Sequence, residues 1–480
     1  MMMNMSKEDI CFMSAWEMRE KIKSQELTSQ EITEAIIERI EKVNPKVNAY
    51  CTTTFEVARE MAKKADLAVK NSEKLGLLQG IPTSIKDLMQ TKGIRTTYGS
   101  KLYEDFIPEQ DDIAVQRLKE AGCVLMGKTN TPDFGHIALT NNLIFGPTNN
   151  PWDLEKNSGG SSGGAAASVA SGLGPLALGS DGGGSIRVPS SLCGIYGLKP
   201  TFGRIPSYPR IGIAFWSMDH YGPIVRYVKD AALMLNVMKG SHPSDKNSFP
   251  DDGIDYVDIV EEKPKKLKIG TSMTLGFFKS YEDEIEKNVL DAAQKFEQYN
   301  WNIENAKIKF KKSEHAFNQL ACSGYANDLK KDFENRPEYI SPDLISEITY
   351  GLSLSILDIG KAMVIRKEVC EVFYKYFKDF DILITPTTPI PAFKIEMGKR
   401  GTIFPIIKGK ALNITSWMSY TYPFNMTGLP AASIPCGWTK EGLPIGMQII
   451  GRRYDEKTVL QVSKAFEEIA PWQDKRPSFN

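Results

Sequence analysis

The sequence predicts an α/β protein in which a β-sheet is sandwiched between helices. Short apolar runs alternate with amphipathic helical stretches along most of the chain, the pattern of strands and covering helices. Apolar residues make up 41% and charged residues 25% of the 480, the balance of an ordinary globular protein rather than a fibrous or disordered one. No run approaches the ~18 consecutive apolar residues needed to span a bilayer.

The elements follow in order. Residues 1–75 read as helices. Ser6 with Asp9 starts one, with Ile10, Met13 and Trp16 on its apolar side. Thr28-Ser29-Gln30-Glu31 starts a second, with Ile32, Ala35, Ile36 and Ile40 on one face, expected to end before Pro45. A third covers 54–70. Alternation then begins, with a buried strand in 77–88, a helix at 114–122 and a strand at 123–128. Residues 240–266 are polar, with clustered Pro and Asp, and read as an exposed connector. Beyond it, strands at 267–272, 381–386, 431–437 and 444–451 are interleaved with helices at 281–298, 312–335, 356–379 and 455–469. At about 150 residues per domain the length allows three domains. Strands before and after the connector can also join one sheet, so one domain and two both fit.

Charge and cysteine usage limit the function classes. Lys+Arg and Asp+Glu are equal at 59 each, which argues against a surface devoted to nucleic acid or anionic membrane. The seven cysteines are scattered and form no C-x-x-C pair, the usage of a reducing compartment. The N-terminal residues hold no apolar secretory core, so the cytoplasm is expected. No His or Cys cluster has metal-ligand spacing, and no metal or cofactor is expected.

Residues 157–203 stand apart. The stretch is glycine- and serine-dense yet threaded with Ala, Val, Leu and Ile, and between Asn157 and Leu198 its only charges are Asp181 and Arg187. A flexible linker would be polar. A buried, glycine-rich backbone instead offers N–H groups at close approach. Ser161 sits in G-G-S-S-G and Ser185 in D-G-G-G-S. Three glycines before a serine leave backbone N–H groups unshielded, as an oxyanion hole requires. Serine needs a base, and none of the four histidines lies in a setting that announces catalysis. A lysine held neutral by burial can serve, and Lys86 closes the apolar run Ile81–Ile85.

Three other patterns match by letter. Residues 122–129 spell a phosphate-binding loop, but their Cys-Val-Leu-Met core is a strand. Residues 172–177 imitate a dinucleotide fingerprint that Pro175 interrupts. G-G-S-S-G also fits the nucleophile elbow of α/β-hydrolases, which would make Ser161 the nucleophile of an esterase and call on His220 or His315.

GGSSGGAAASVASG followed by GSDGGGSIRVPSSLCGIYGLKPTFGRI resembles the amidase signature family, serine hydrolases that cleave carboxamides, over about 45 residues and with that family's 24-residue step from Ser161 to Ser185. The similarity extends to GIPTSIKD (80–87), GKTNTPDFG (127–135), DHYGPIVR (219–226) and residues 423–460, so it covers most of the chain. The resemblance implies one α/β/α layered domain around a mixed, mostly parallel sheet, with a catalytic core at 76–239 and the rest of the sheet and a helical region at 267–480. It further implies a Ser185 nucleophile, a bridging Ser161 after a cis Gly160–Ser161 bond, and Lys86 as the base. Gly182, Gly183 and Gly184, with Ser185, would supply the oxyanion hole. Asp181 and Arg187 would support the loop, unless Arg187 meets a substrate carboxylate. The expected partner is a small amide, with no nucleic acid or membrane, and the protein a monomer or homodimer. Phe134, Phe145, Ile213, Phe215, Trp216, Trp417, Met418 and Tyr420 are candidates for specificity.

Two finer readings stay open. The same family includes the A component of a glutamyl-tRNA amidotransferase, yet Ser416–Tyr420, before Pro423, lacks the acidic residue usual in those proteins. The D-G-G-G-S spelling, where D-T-G-G-S is common, is similar to hydrolases of ω-amino-acid amides.

Overall fold

One sheet of eleven strands organises the chain in the computed structural model, which describes residues 5–210, 212–215, 217–397, 404–413 and 415–479. Its strands are β1 (Tyr50–Thr53), β2 (Pro82–Lys86), β3 (Val124–Thr129), β4 (Leu176–Asp181), β5 (Tyr196–Lys199), β6 (His220–Val225), β7 (Lys268–Thr271), β8 (Asn302–Asn305), β9 (Ile382–Pro386), β10 (Ala431–Trp438) and β11 (Pro444–Gly451). Across the sheet the order is β1-β3-β2-β4-β6-β5-β10-β11-β9-β7-β8. The sheet is mixed. Two parallel runs, β3-β2-β4 and β9-β7-β8, flank an antiparallel middle built from β6, β5, β10 and β11.

β2, β3 and β4 are buried at every residue, so both faces of the sheet are covered there. Helices Gly163–Ala170 and Arg187–Cys193, fully buried themselves, pack against the strands of the sheet. Strands from both sides of residues 240–266 share this one sheet. That segment is largely exposed but anchored through Tyr256, Val257 and Val260, which are buried, and through Asp252, which pairs with Arg204.

The N-terminal helices begin where their caps stand: the Ser6 side chain accepts from the Asp9 N–H, and Thr28 with Glu31 forms a full capping box. The second does not stop before Pro45. It runs from Ser29 to Val47 with Pro45 in its last turn, where the missing N–H forgoes one hydrogen bond and only two residues remain to be carried past it. Asn48, in the left-handed conformation, ends it, and the Asn44 side chain accepts from Ala49 and Tyr50 beyond. Among the described residues no single helix is long and apolar enough to cross a membrane.

β2 and β4 lie side by side with Thr83 opposite Leu176 and Ile85 opposite Leu178. Their carboxyl ends therefore emerge together, bringing Lys86 to Ser180 and Asp181. This is where open α/β sheets gather their chemistry.

Candidate active site

Lys86 ends β2 with no exposed surface. Its Nζ is hydrogen-bonded to Ser161 Oγ at 2.6 Å and to Ser180 Oγ at 3.0 Å, and burial pushes its amine down to about 7 against the opposing pull of Asp219 and Asp181. Ser180 is a partner that sequence reasoning missed; its only signal is its place five residues before Ser185.

Ser161 precedes helix Gly163–Ala170, and the Gly160–Ser161 peptide is cis. Ser185 lies in the turn between β4 and helix Arg187–Cys193. The two serine segments are tied by the Ser162 N–H, which donates to the Ser185 carbonyl at 3.1 Å, and Ser161, Ser180 and Ser185 line one cavity. Ser185 is 8% exposed and Ser161 2%.

The Asp181 carboxylate organises the loop ahead of Ser185. It accepts from the N–H groups of Gly184 at 2.7 Å and Ile186 at 3.1 Å, and forms a two-pronged pair with Arg187 at 2.8 and 2.9 Å. Although burial opposes it, the Arg187 guanidinium holds the Asp181 carboxyl well below its ordinary range. Gly184 thus departs from the expected oxyanion set, because its N–H is already spent on Asp181. The N–H groups of Gly182, Gly183 and Ser185 take no partner among the described residues. Arg187 has no exposed surface and spends every N–H inside the protein, on Asp181, Asn425 Oδ1, Gln448 Oε1 and the Thr421 carbonyl. It keeps no donor for a substrate carboxylate.

The glycines admit close neighbours. A Cβ on Gly182 would lie 2.9 Å from the Phe215 ring, and one on Gly184, whose φ is +139°, would lie 2.3 Å from Thr421 Oγ1. The cavity of about 470 Å³ in front of the loop is walled by Phe134, Phe215, Phe317, Tyr325 and Met418 with several carboxylates. Of the specificity candidates, Phe134, Phe215 and Met418 reach it, whereas Phe145, Ile213, Trp417 and Tyr420 do not. Trp216 lies outside the described residues. Phe317 and Tyr325 went unrecognised because helix Ser313–Asn335 presents them four-residue steps apart, a spacing that reads as core.

The competing motifs fold otherwise. Lys128 in β3 is buried and bonded to Thr91 and Thr96, not poised for phosphate. His220 meets the Asp181 carbonyl through Nδ1 at 3.1 Å, and His315 lies in a separate hollow. Among the described residues no histidine bonds to Ser161.

Fold and cavity together define an α/β protein with a serine-lined pocket backed by a buried lysine. A family model described as Amidase matches residues 31–460. The chain is 38% identical to the A component of the glutamyl-tRNA(Gln) amidotransferase of Carboxydothermus hydrogenoformans, over 98% of this chain and 99% of that one. It is 36% identical to an acylamidase of Rhodococcus erythropolis, over 99% of both. A solved bacterial aryl acylamidase of the amidase signature family superposes with a TM-score of 0.89 at 31% identity, covering 96% of this chain and 97% of that one. The chain belongs to the amidase signature family, hydrolases of carbon–nitrogen bonds.

Proposed function

We propose that the chain hydrolyses a small carboxamide without a cofactor, with Ser185 as nucleophile, Ser161 as relay and Lys86 as base. The observation that carries this reading is the buried Lys86 amine, held near 7 and hydrogen-bonded at 2.6 Å to Ser161 Oγ. Neutral Lys86 takes a proton from Ser161 as Ser161 takes one from Ser185. Ser185 Oγ attacks the amide carbon, and the carbonyl electron pair moves to oxygen, facing the N–H groups of Gly182, Gly183 and Ser185. Collapse breaks the C–N bond, and the amine leaves with the proton returned from Lys86 through Ser161. Water then attacks the acyl-enzyme by the same relay. The net change is amide plus water to carboxylic acid plus ammonia or amine.

In this reading Asp181 and Arg187 position the loop and do not touch substrate. The protein works in the cytoplasm as a monomer or homodimer, on a small amide rather than on nucleic acid or membrane. Ser185→Ala is expected to abolish both hydrolysis and labelling by a fluorophosphonate. An adduct mapping to Ser161 alone would return the esterase-type elbow and overturn the assignment.

One second reading has its own support: the identity to the A component of an amidotransferase. Against it, the segment at Thr415–Met418, which contributes Thr415 and Met418 to the cavity wall, brings no acid. Purified chain without partners, screened on simple amides for ammonia or amine release, separates the two. Release only from glutamine, and only with a partner present, favours the amidotransferase.

A further inference from the structure

Part of the cavity wall is polar and unpaired. Tyr325 is 1% exposed, and its hydroxyl finds no hydrogen-bond partner among the described residues. His136, 8% exposed, holds its Nδ1 3.3 Å from the Asp133 carbonyl, which places the proton on Nδ1. Burial pushes the ring down to about 4, so it is neutral and Nε2 is a bare lone pair, also without a partner among the described residues. The two rings meet edge to face with centroids 6.3 Å apart. Glu347, from helix Pro342–Leu352, lines the same cavity; its carboxyl is pushed up to about 8 by burial and by Asp343, with no cation offsetting either. Of the charges that act on the Tyr325 hydroxyl, Glu347 is the strongest, and it acts on the neighbouring Cys322 thiol as well.

The other charged groups on this wall are already engaged. Arg210 pairs with Asp219 at 3.0 Å, Asp328 accepts from the N–H groups of Ile213 and Ala214, and Asp332 pairs with Arg336. What remains is a carboxyl, a phenol hydroxyl and an imidazole nitrogen, each able to accept from a ligand, with no cation of the protein's own among them; a cation bound there favours the charged form of Glu347. An ammonium is the complement, since it brings three donors and no acceptor. The Phe215 ring, 5.5 Å from that of Tyr325 and edge-on to it, adds an aromatic neighbour favourable to a cation.

We infer that Glu347, Tyr325 and His136 form a subsite for a protonated primary amine carried by the substrate away from its scissile amide. The inference rests on reading this cavity as the amide-binding site, and it narrows the substrate class to amides bearing a second, cationic nitrogen.

The test compares kcat/KM for ω-aminoalkanamides with that for alkanamides of equal chain length, in which a methyl replaces the ammonium. A second pair, N-(aminoalkyl)acetamides against N-alkylacetamides, places the amine on the leaving side. A hydrogen bond to a charged group supports a preference of roughly tenfold or more for the amine-bearing member of at least one pair. Glu347→Gln brings that ratio close to one, and Tyr325→Phe lowers it; a ratio does not depend on how much of a variant is folded. A ratio near one in the native protein, or one unchanged by Glu347→Gln, overturns the inference. Calorimetric titration of the Ser185→Ala variant with a free n-alkylamine keeps the question separate from turnover. Binding that weakens roughly tenfold on adding Glu347→Gln supports the subsite even if neither amide is cleaved, in which case the amidase assignment fails alone. Absence of binding overturns the subsite.

Discussion

Replacing Lys86 by methionine should remove activity and at the same time stabilise the protein. Lys86 is fully buried, and its amine is lowered from 10.5 to about 7 chiefly by desolvation. In the unfolded chain the same amine stays protonated to the ordinary lysine value. Between about pH 7 and 10.5 the unfolded state therefore binds the extra proton, and stability rises with pH across that window. Below it the penalty is complete. The linkage gives a cost of roughly 4 kcal/mol near pH 7, falling to about 2 kcal/mol near pH 9. Methionine, similar in length and uncharged, carries none of this. The gap between variant and native protein should thus be widest near and below neutrality and narrow as pH rises. Thermal unfolding followed by circular dichroism at several pH values measures it, alongside amide turnover. A variant less stable than the native chain, or a gap independent of pH, would mean that Lys86 is not held neutral, and the base assignment would lose its ground.

Three further outcomes are expected. The acidic limb of kcat/KM should fall near pH 7, since only neutral Lys86 accepts a proton, and Asp219→Asn, by removing a charge that favours the ammonium, should move that limb to lower pH; a rate profile over pH reads both. Arg187→Met leaves Asp181 buried and uncompensated and should cost about 3–5 kcal/mol in denaturant unfolding, with Arg187→Lys restoring little because five N–H contacts need the planar fork. Gly182→Ala should slow labelling of Ser185 by pressing on Phe215, and adding Phe215→Ala should recover part of the loss; a double-mutant cycle without coupling would show that the two do not share space.

Much of the site was legible because its chemistry is local. Ser161, Ser185 and the glycines sit in one low-charge stretch, and Lys86 ends an apolar run, so residue type and order alone raised them. The fold class was legible for a similar reason, as strand and helix periods show within short windows. Long-range partners were not. Asn425 and Gln448 meet Arg187 only because β11 and the short helix Tyr422–Thr427 close over the Ser185 loop, which no local pattern signals. Nor does spelling show which N–H a carboxylate will claim, so Gly184 looked equivalent to Gly182 and Gly183 until Asp181 took it. Pro45 misled for the opposite reason: a general preference was outweighed by its place in a final turn capped by Asn48.

The bonds that hold Arg187 have a bearing on when the protein becomes competent. Gln448 is 261 positions further along the chain and Asn425 is 238. A ribosome that has finished the serine-bearing segment has yet to make either anchor, and contacts so distant in sequence form late. The nascent chain thus carries Ser185 across the 261 positions from Arg187 to Gln448 before the bonds that set its loop are complete. Hydrolytic power arrives only as the last strand of the sheet is laid down, so a product truncated before β11 should fold in part yet acylate slowly or not at all.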